Sequence, residues 1–554
     1  MFSALAALFL PFILLLGGWW LATQSENHFW GMIIMGVGFF SFLKKLANFL
    51  LLSLHTSQQI KLLHESRTVS NEYGNARLAN KNDEFVLVLN GNRSGCYIGS
   101  LDGLPLFYDP YLSGNGHMVS FAPSRTGKSI AVVIPALLHW FGGSLLVIDI
   151  KGELAAITAK YRQRFGFKVF IFDPYEVLST EGMKFNPLRI LVEDILHNQG
   201  KELPDLARLI AFQLISEQPG AMGDGIFFRN GARRLIVTFL LYMPLFMPQS
   251  CNLSTLRKLV WGSTDEQEAI ANEMKSSNWL SGLVKDYGNS LAELLRPEYI
   301  KTFGAFRDNA MNALEIFHSH SPLGKAMEES DFSLSEVLDG KTTLYLILPE
   351  DKLETHGIVL GLITTLLLET IASTTNPARV MFLLEEMGNI GKLPNLSKAL
   401  SLLPGKGVRL WMIFQSRRQP IEIYGQQMAR LIEEQSSMVQ AWSIRGEEDQ
   451  KAWSMRIGTK TFKTRSLSKD ADNPKTPWKL SINERGGSVK APFEIGQMDK
   501  EKQFIAIDGQ MVIEADKFAY FQVEPWRTIA EKNPAHPDDY PKDKPVRIWL
   551  GENK

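Results

Sequence analysis

The sequence predicts an α/β fold with a mostly parallel, doubly wound sheet, interrupted by an all-α insertion and preceded by a two-helix transmembrane hairpin. Three observations lead there. Short apolar runs bounded by turn residues alternate with helical patterns. A P-loop-type segment, Ala122 to Ser129, separates one such run from an apolar helix. No charged side chain occurs from Met1 until Glu26.

The N-terminus comes first. Leu5 to Ala22, if helical, crosses most of a hydrocarbon layer about 30 Å thick. A second charge-free run, Phe29 to Leu43, is short for a span, but Lys44 and Lys45 can snorkel while Leu46 to Leu54 continues the helix. The linker around Gln24 to His28 is bracketed by Trp19, Trp20 and Trp30, like interfacial aromatics. Lys44, Lys45, Lys61 and Arg67 follow the second run, whereas the linker carries Glu26 and no Lys or Arg. That asymmetry puts the hairpin tip in the periplasm and the bulk of the chain in the cytoplasm. A cleavable signal peptide is disfavoured because no basic segment precedes the first run.

Beyond a polar connector near Ser57 to Lys81, the buried-strand candidates are His117 to Phe121, Ser144 to Ile150, Lys168 to Asp173, Thr342 to Leu348, Arg379 to Glu386, Val408 to Phe414, Met438 to Ile444 and Phe504 to Asp508. Their alternation with helices implies a doubly wound domain. Between Phe185-Asn186-Pro187 and about Asp331 the pattern turns to helices with charged faces, the all-α insertion. Thr459 to Ala491 is polar, basic and broken by Pro474, Pro477, Gly486 and Gly487, and reads as a solvated loop or hairpin. The expected organisation is a hairpin over 1–55, a nucleotide-binding domain over 56–189 and 335–531, the insertion over 190–334, and a polar tail over 532–554.

Composition narrows the chemistry. With 554 residues the chain is long enough for two or three domains. Cys96 and Cys251 form no CxxC pair, which argues against a disulfide scaffold or a zinc site. The formal net charge is zero, so any nucleic-acid or lipid surface must be local.

The residues Ala122, Pro123, Ser124, Arg125, Thr126, Gly127, Lys128 and Ser129 are the candidate nucleotide loop. Backbone N–H groups and the helix N-terminus cradle phosphates, Lys128 reaches the β/γ-phosphates, and the Ser129 hydroxyl binds Mg²⁺. Ala122 stands at the usual first glycine. Val380 to Glu386 is an apolar strand ending in two carboxylates. On its own such a pair is more often a helix N-terminal charge. Downstream of a P-loop, Glu385 is expected to face the metal, directly or through water. Glu386 is then placed to orient or deprotonate the water that attacks the γ-phosphate. Gln415, at the end of the Val408 to Phe414 run, either senses the γ-phosphate or caps the next helix. Asp149-Ile-Lys-Gly-Glu153 is a secondary candidate at the same sheet edge.

With these residues in place, the chain resembles the coupling proteins of bacterial type IV secretion and conjugation. The resemblance spans nearly the whole chain: the membrane hairpin, the P-loop, Leu145 to Glu176 with its DIKGEL element, Phe185-Asn-Pro-Leu188, the insertion, LLEEMGNIG from Leu383, and Phe414-Gln-Ser416. It implies a RecA-like, membrane-anchored ATPase using ATP and Mg²⁺. The implied assembly is a homo-oligomer, a hexamer in such relatives, in the bacterial inner membrane. Its implied role is recruiting a relaxase with single-stranded DNA, protein effectors, or both, to the secretion machinery. The rival is a nucleotide-binding docking platform with little hydrolysis; a chromosome pump is disfavoured by the few spans and the lack of a winged-helix tail. The chain departs from the family at Ala122, at Glu385 where aspartate is usual, and at Pro404 where an arginine usually acts on a neighbouring subunit. Lys406 and Arg409 are the nearest substitutes.

Overall fold

The computed structural model describes residues 2–24, 28–65, 70–112, 116–216, 224–390, 392–468, 479–534 and 546–550. The chain divides into two units, one of Met1–Ala76 with Gly458–Ser488 and one of Arg77–Ile457 with Val489–Lys554. In chain order the strands used below are β1 Cys96–Leu101, β2 Leu104–Tyr108, β3 His117–Phe121, β4 Ser144–Asp149, β5 Lys168–Phe172, β6 Thr342–Ile347 and β7 Val380–Leu384. They continue with β8 Val408–Phe414, β9 Ser436–Ala441, β10 Thr459–Ser468, β11 Lys479–Ser488, β12 Lys502–Ile507 and β13 Ile513–Asp516.

The smaller unit holds two long apolar helices, α1 (Phe2–Ala22) and α2 (His28–Glu65). They approach closely because glycine stands at the crossing. A Cβ at Gly18 would lie 2.8 Å from Met35, and one at Gly31 2.5 Å from the main chain of Ala22. Trp19, Trp20, Trp30, Phe39 and Phe40 point outward and exposed. The stretch His28–Asn48 is by itself long and apolar enough to cross a membrane. The linker positions 25–27 lie outside the described residues. The basic segment read as a loop or hairpin pairs as β10 with β11, its 469–478 connection lying outside the described residues. The connector after α2 runs along this ribbon: Ala76 N donates to Thr459 O at 3.1 Å and Thr461 N to Gly74 O at 3.0 Å.

In the larger unit one sheet runs in the order β2-β1-β13-β12-β9-β3-β8-β7-β4-β6-β5. From β9 to β5 neighbours pair in parallel. From β9 outward to β2 they pair antiparallel. Alternate residues of the central strands serve different cores. Leu146, Leu344, Phe382 and Leu384 join the core shared with the insertion, while Leu145, Val147, Tyr345 and Leu383 join the core beneath the P-loop helix. Between β5 and β6 the described residues hold helices and no strand, from Arg189–Asn198 through Pro322–Ala326.

A buried polar chain crosses the sheet and fixes its register. The Trp411 indole donates to Ser120 Oγ at 2.9 Å, which donates to Gln440 Oε1 at 2.9 Å. Gln440 Nε2 then donates to Gln503 Oε1 at 2.6 Å, and Gln503 Nε2 to Ile98 O at 2.8 Å. A one-residue slip of any of these strands would leave buried amide or hydroxyl groups unpaired.

Two details differ from the sequence reading. The antiparallel extension through β1, β2 and β13 was not anticipated, because these strands are short and β1 bends at Gly99, whose φ is +140°. Strand β9 begins at Ser436 and ends at Ala441, so the expected Met438 to Ile444 is displaced. Ser443, with φ +52°, turns the chain out of the sheet. Of the polar tail, 535–545 and 551–554 lie outside the described residues.

Candidate nucleotide site

The site forms where β3, β4, β7 and β8 end at one edge of the sheet. Strand β3 leaves the sheet at Ala122, whose N–H donates to Phe414 O at 2.9 Å, tying the start of the loop to β8. Ala122 does not adopt a left-handed φ, so the missing first glycine costs nothing in backbone freedom here. Left-handed backbone is instead supplied by Arg125, φ +61°, and Gly127, φ +83°. Such alternation curls successive N–H groups into a concave anion cradle. From Ser129 the chain enters one wide helical turn and then the buried helix Ile134–His139.

The loop faces a cavity of about 400 Å³ lined by Lys128, Ser129, Asp149, Glu385, Glu386 and Gln415, among others. Lys128 Nζ lies 2.9 Å from Glu386 Oε1 in a pair whose side chains are 7% and 17% exposed. The other Glu386 oxygen accepts from Gln415 Nε2 at 3.2 Å. Ser129 Oγ donates to Glu385 Oε1. Burial pushes the Glu385 carboxyl up to about 7; Asp149 and Glu386 add to the rise and the Ser129 hydroxyl opposes it. Asp149 is likewise pushed up to about 7 by burial, against the pull of backbone donors. One of these, Ala155 N, reaches Asp149 Oδ2 at 2.8 Å. Asp149 therefore braces the helix Glu153–Arg164 while lining the cavity.

The P-loop, Asp149, Glu385, Glu386 and Gln415 thus converge on one edge, although 257 positions separate Lys128 from Glu385 (385 − 128). The donor set suits a nucleotide with its metal: a lysine head and a curled backbone for phosphates, and a hydroxyl beside a buried carboxylate for Mg²⁺. Cavity walls that sequence reasoning missed are Glu350 and Leu353, from the short helical turns after β6, which carry no motif; Asn389, within LLEEMGNIG, also lines the cavity although no role was assigned to it.

The two substitutes for the family arginine are otherwise engaged. Arg409 lies at the start of β8, opposite the strand end that reaches the cavity. Its Nε donates to Pro110 O at 2.7 Å and its Nη1 to Pro404 O at 3.0 Å, with the guanidinium 4.8 Å from the Tyr111 ring. Lys406 Nζ donates to Ala372 O and, at 2.8 Å, to Thr374 O. Within the single chain these donors hold its own segments together.

Comparison with known proteins agrees with this geometry. The family described as Type IV secretory system Conjugative DNA transfer matches residues 61–543. The chain belongs to this family. Among curated members, the type IV secretion system-coupling protein VirD4 of Bartonella henselae is 24% identical over 431 residues, covering 76% of this chain and 65% of that protein. The conjugal transfer protein TraG of Agrobacterium fabrum is 24% identical over 432 residues, covering 76% and 63%. The chain thus spans a little under two thirds of the length of these relatives. Among solved structures, the bacterial conjugative coupling protein TrwB superposes with a TM-score of 0.57 at 14% identity, over 80% of this chain and 92% of that one. TrwB has also been solved with a non-hydrolysable ATP analogue and with ADP and Mg²⁺. That likeness gives the fold, a TrwB-like α/β domain with a mostly parallel sheet.

Proposed function

We propose that this family member is an inner-membrane coupling ATPase that recruits substrate and drives its transfer through a type IV secretion or conjugation apparatus. The observation that carries this reading is the convergence of Lys128, Ser129, Glu385, Glu386 and Gln415 on one cavity. A docking platform would not require a carboxylate held between a P-loop lysine and a glutamine.

In the proposed mechanism the P-loop N–H groups and Lys128 bind the phosphates. The ammonium has three donors and divides them between Glu386 and phosphate oxygen. Ser129 and Glu385 would hold Mg²⁺, which when bound would neutralise charge on the phosphates. The longer glutamate serves where aspartate is usual because Glu385 already touches the Ser129 hydroxyl. Glu386 orients the attacking water and takes its proton, and Gln415 holds Glu386 in place while sensing the γ-phosphate.

Both α1 and α2 are assigned as spans, with the tip in the periplasm, residues 77–554 in the cytoplasm, and the domain boundaries as expected from the sequence. The working assembly is a homo-oligomer, a hexamer with nucleotide between subunits. Its partners are the secretion machinery and a relaxase with single-stranded DNA, secreted effectors, or both. The test is phosphate release by full-length protein in detergent, with and without single-stranded DNA. Turnover that Lys128→Ala abolishes is expected. Nucleotide binding without any turnover would leave only a docking role.

A further inference from the structure

The P-loop is gripped from behind by two side chains that no P-loop motif contains. Trp442, the first residue after β9, is fully buried, and its indole N–H points at Thr126, 3.2 Å from the carbonyl oxygen and 3.0 Å from Oγ1. Lys517, the first residue after β13, donates from Nζ to the same Thr126 carbonyl at 3.3 Å and to Lys500 O at 2.5 Å. Its ammonium lies 5.9 Å from the centre of the Trp442 ring. Thr126 Oγ1 in turn donates to Pro123 O at 2.7 Å, closing the loop on itself.

The geometry has a direct consequence for phosphate binding. In a trans peptide the C=O and the following N–H point in opposite directions. Two donors on the Thr126 carbonyl therefore fix the direction of the Gly127 N–H, in the one stretch of loop where glycine freedom, φ +83°, would otherwise let the peptide rotate. Withdrawing electron density from the carbonyl also makes that N–H a stronger donor. A positive charge behind the loop adds to the field felt by an anion in front of it.

We propose that Trp442 and Lys517 are positioning residues for nucleotide, setting the Thr126–Gly127 peptide so that its N–H faces the phosphates. This rests on the P-loop reading above. It assigns the outer antiparallel strands a role in the site, since β13 reaches the P-loop through Lys517.

Full-length protein in detergent is titrated with a fluorescent ADP analogue and Mg²⁺, and thermal unfolding is followed in parallel without nucleotide. Trp442→Phe, which removes only the N–H and one ring, should raise Kd about fivefold, and Lys517→Met about tenfold. In turnover these losses should appear in KM, with kcat within about twofold of wild type. A purely structural role predicts a lowered unfolding temperature with unchanged Kd, and that result overturns the proposal. Lys128→Ala serves as the reference: if it too leaves Kd unchanged, the nucleotide-site reading itself is wrong. Should either variant fail to fold, hydrogen exchange on the wild-type protein decides. Nucleotide should slow exchange in peptides containing Trp442 and Lys517; protection confined to the P-loop and the Glu385–Glu386 strand end would refute the coupling.

Discussion

Replacing Glu386 by glutamine separates binding from chemistry at this site. Glu386 accepts from Lys128 Nζ at 2.9 Å through one oxygen and from Gln415 Nε2 at 3.2 Å through the other. An amide keeps that shape, with its oxygen toward Lys128, but cannot take a proton. A positioned general base contributes about 10²- to 10⁴-fold, so kcat should fall at least about 100-fold. Binding should move the other way. An ammonium bonded to a carboxylate carries charge on both sides, toward about 3 kcal/mol, whereas the same ammonium on an amide oxygen carries it on one side only, toward about 1.5 kcal/mol. Lys128 therefore surrenders about 1 kcal/mol less to reach phosphate in the variant, and ATP should bind about fivefold tighter. Phosphate release and equilibrium binding of ATP with Mg²⁺, both on full-length protein, measure the two effects. A kcat within about threefold of wild type would refute the base assignment, and a loss of binding as large as the loss of turnover would refute the separation.

Other outcomes follow from the same structure. Glu385→Gln should leave Mg²⁺-free nucleotide affinity intact and abolish its strengthening by Mg²⁺, read by titration with the metal and with chelator. Arg409→Ala strips the buried carbonyl of Pro110 of its donor, at about 1–3 kcal/mol, while Pro404 O keeps the Gly407 N–H; it should lower the urea midpoint while leaving hydrolysis by wild-type neighbours in mixed oligomers unchanged. His117 and His139 are buried, and burial holds each down at about 4 from an ordinary 6.5. Because the folded state binds fewer protons than the unfolded one, their stabilisation is full above pH 6.5 and is lost toward pH 4. The loss is up to about 3 kcal/mol for each, and denaturation midpoints that stay flat across that window would contradict it. A periplasmic reporter should work at Ser25 and a cytoplasmic one after Ser57; reversed signals would invert the topology.

The P-loop was legible because its function demands a contiguous run of residues after a strand and before a helix. Glu385, Glu386 and Gln415 were legible because each ends an apolar run, and buried parallel strands write themselves as continuous hydrophobic stretches. The strand bounds at His117–Phe121 and Val408–Phe414 follow from the same rule. The insertion showed in its helical period, and the N-terminal helices in their lack of charge, since a hydrocarbon environment leaves little compositional freedom.

What the tertiary structure decided lies where pairing joins residues far apart in sequence. The antiparallel strands β1, β2 and β13 are short, and although β1 and β2 are buried along nearly their whole length, only their neighbours' hydrogen bonds make them strands. Lys406 and Arg409 look like free cations on the page, yet their heads are taken by main-chain carbonyls of segments that folding brings beside them. Trp442 and Lys517 carry no motif, because what they contact is a peptide carbonyl, which every residue possesses. Sequence specifies the groups that meet phosphate and metal; the direction in which the Gly127 N–H points depends on which distant donors reach the Thr126 carbonyl, and the packing of the sheet alone sets that.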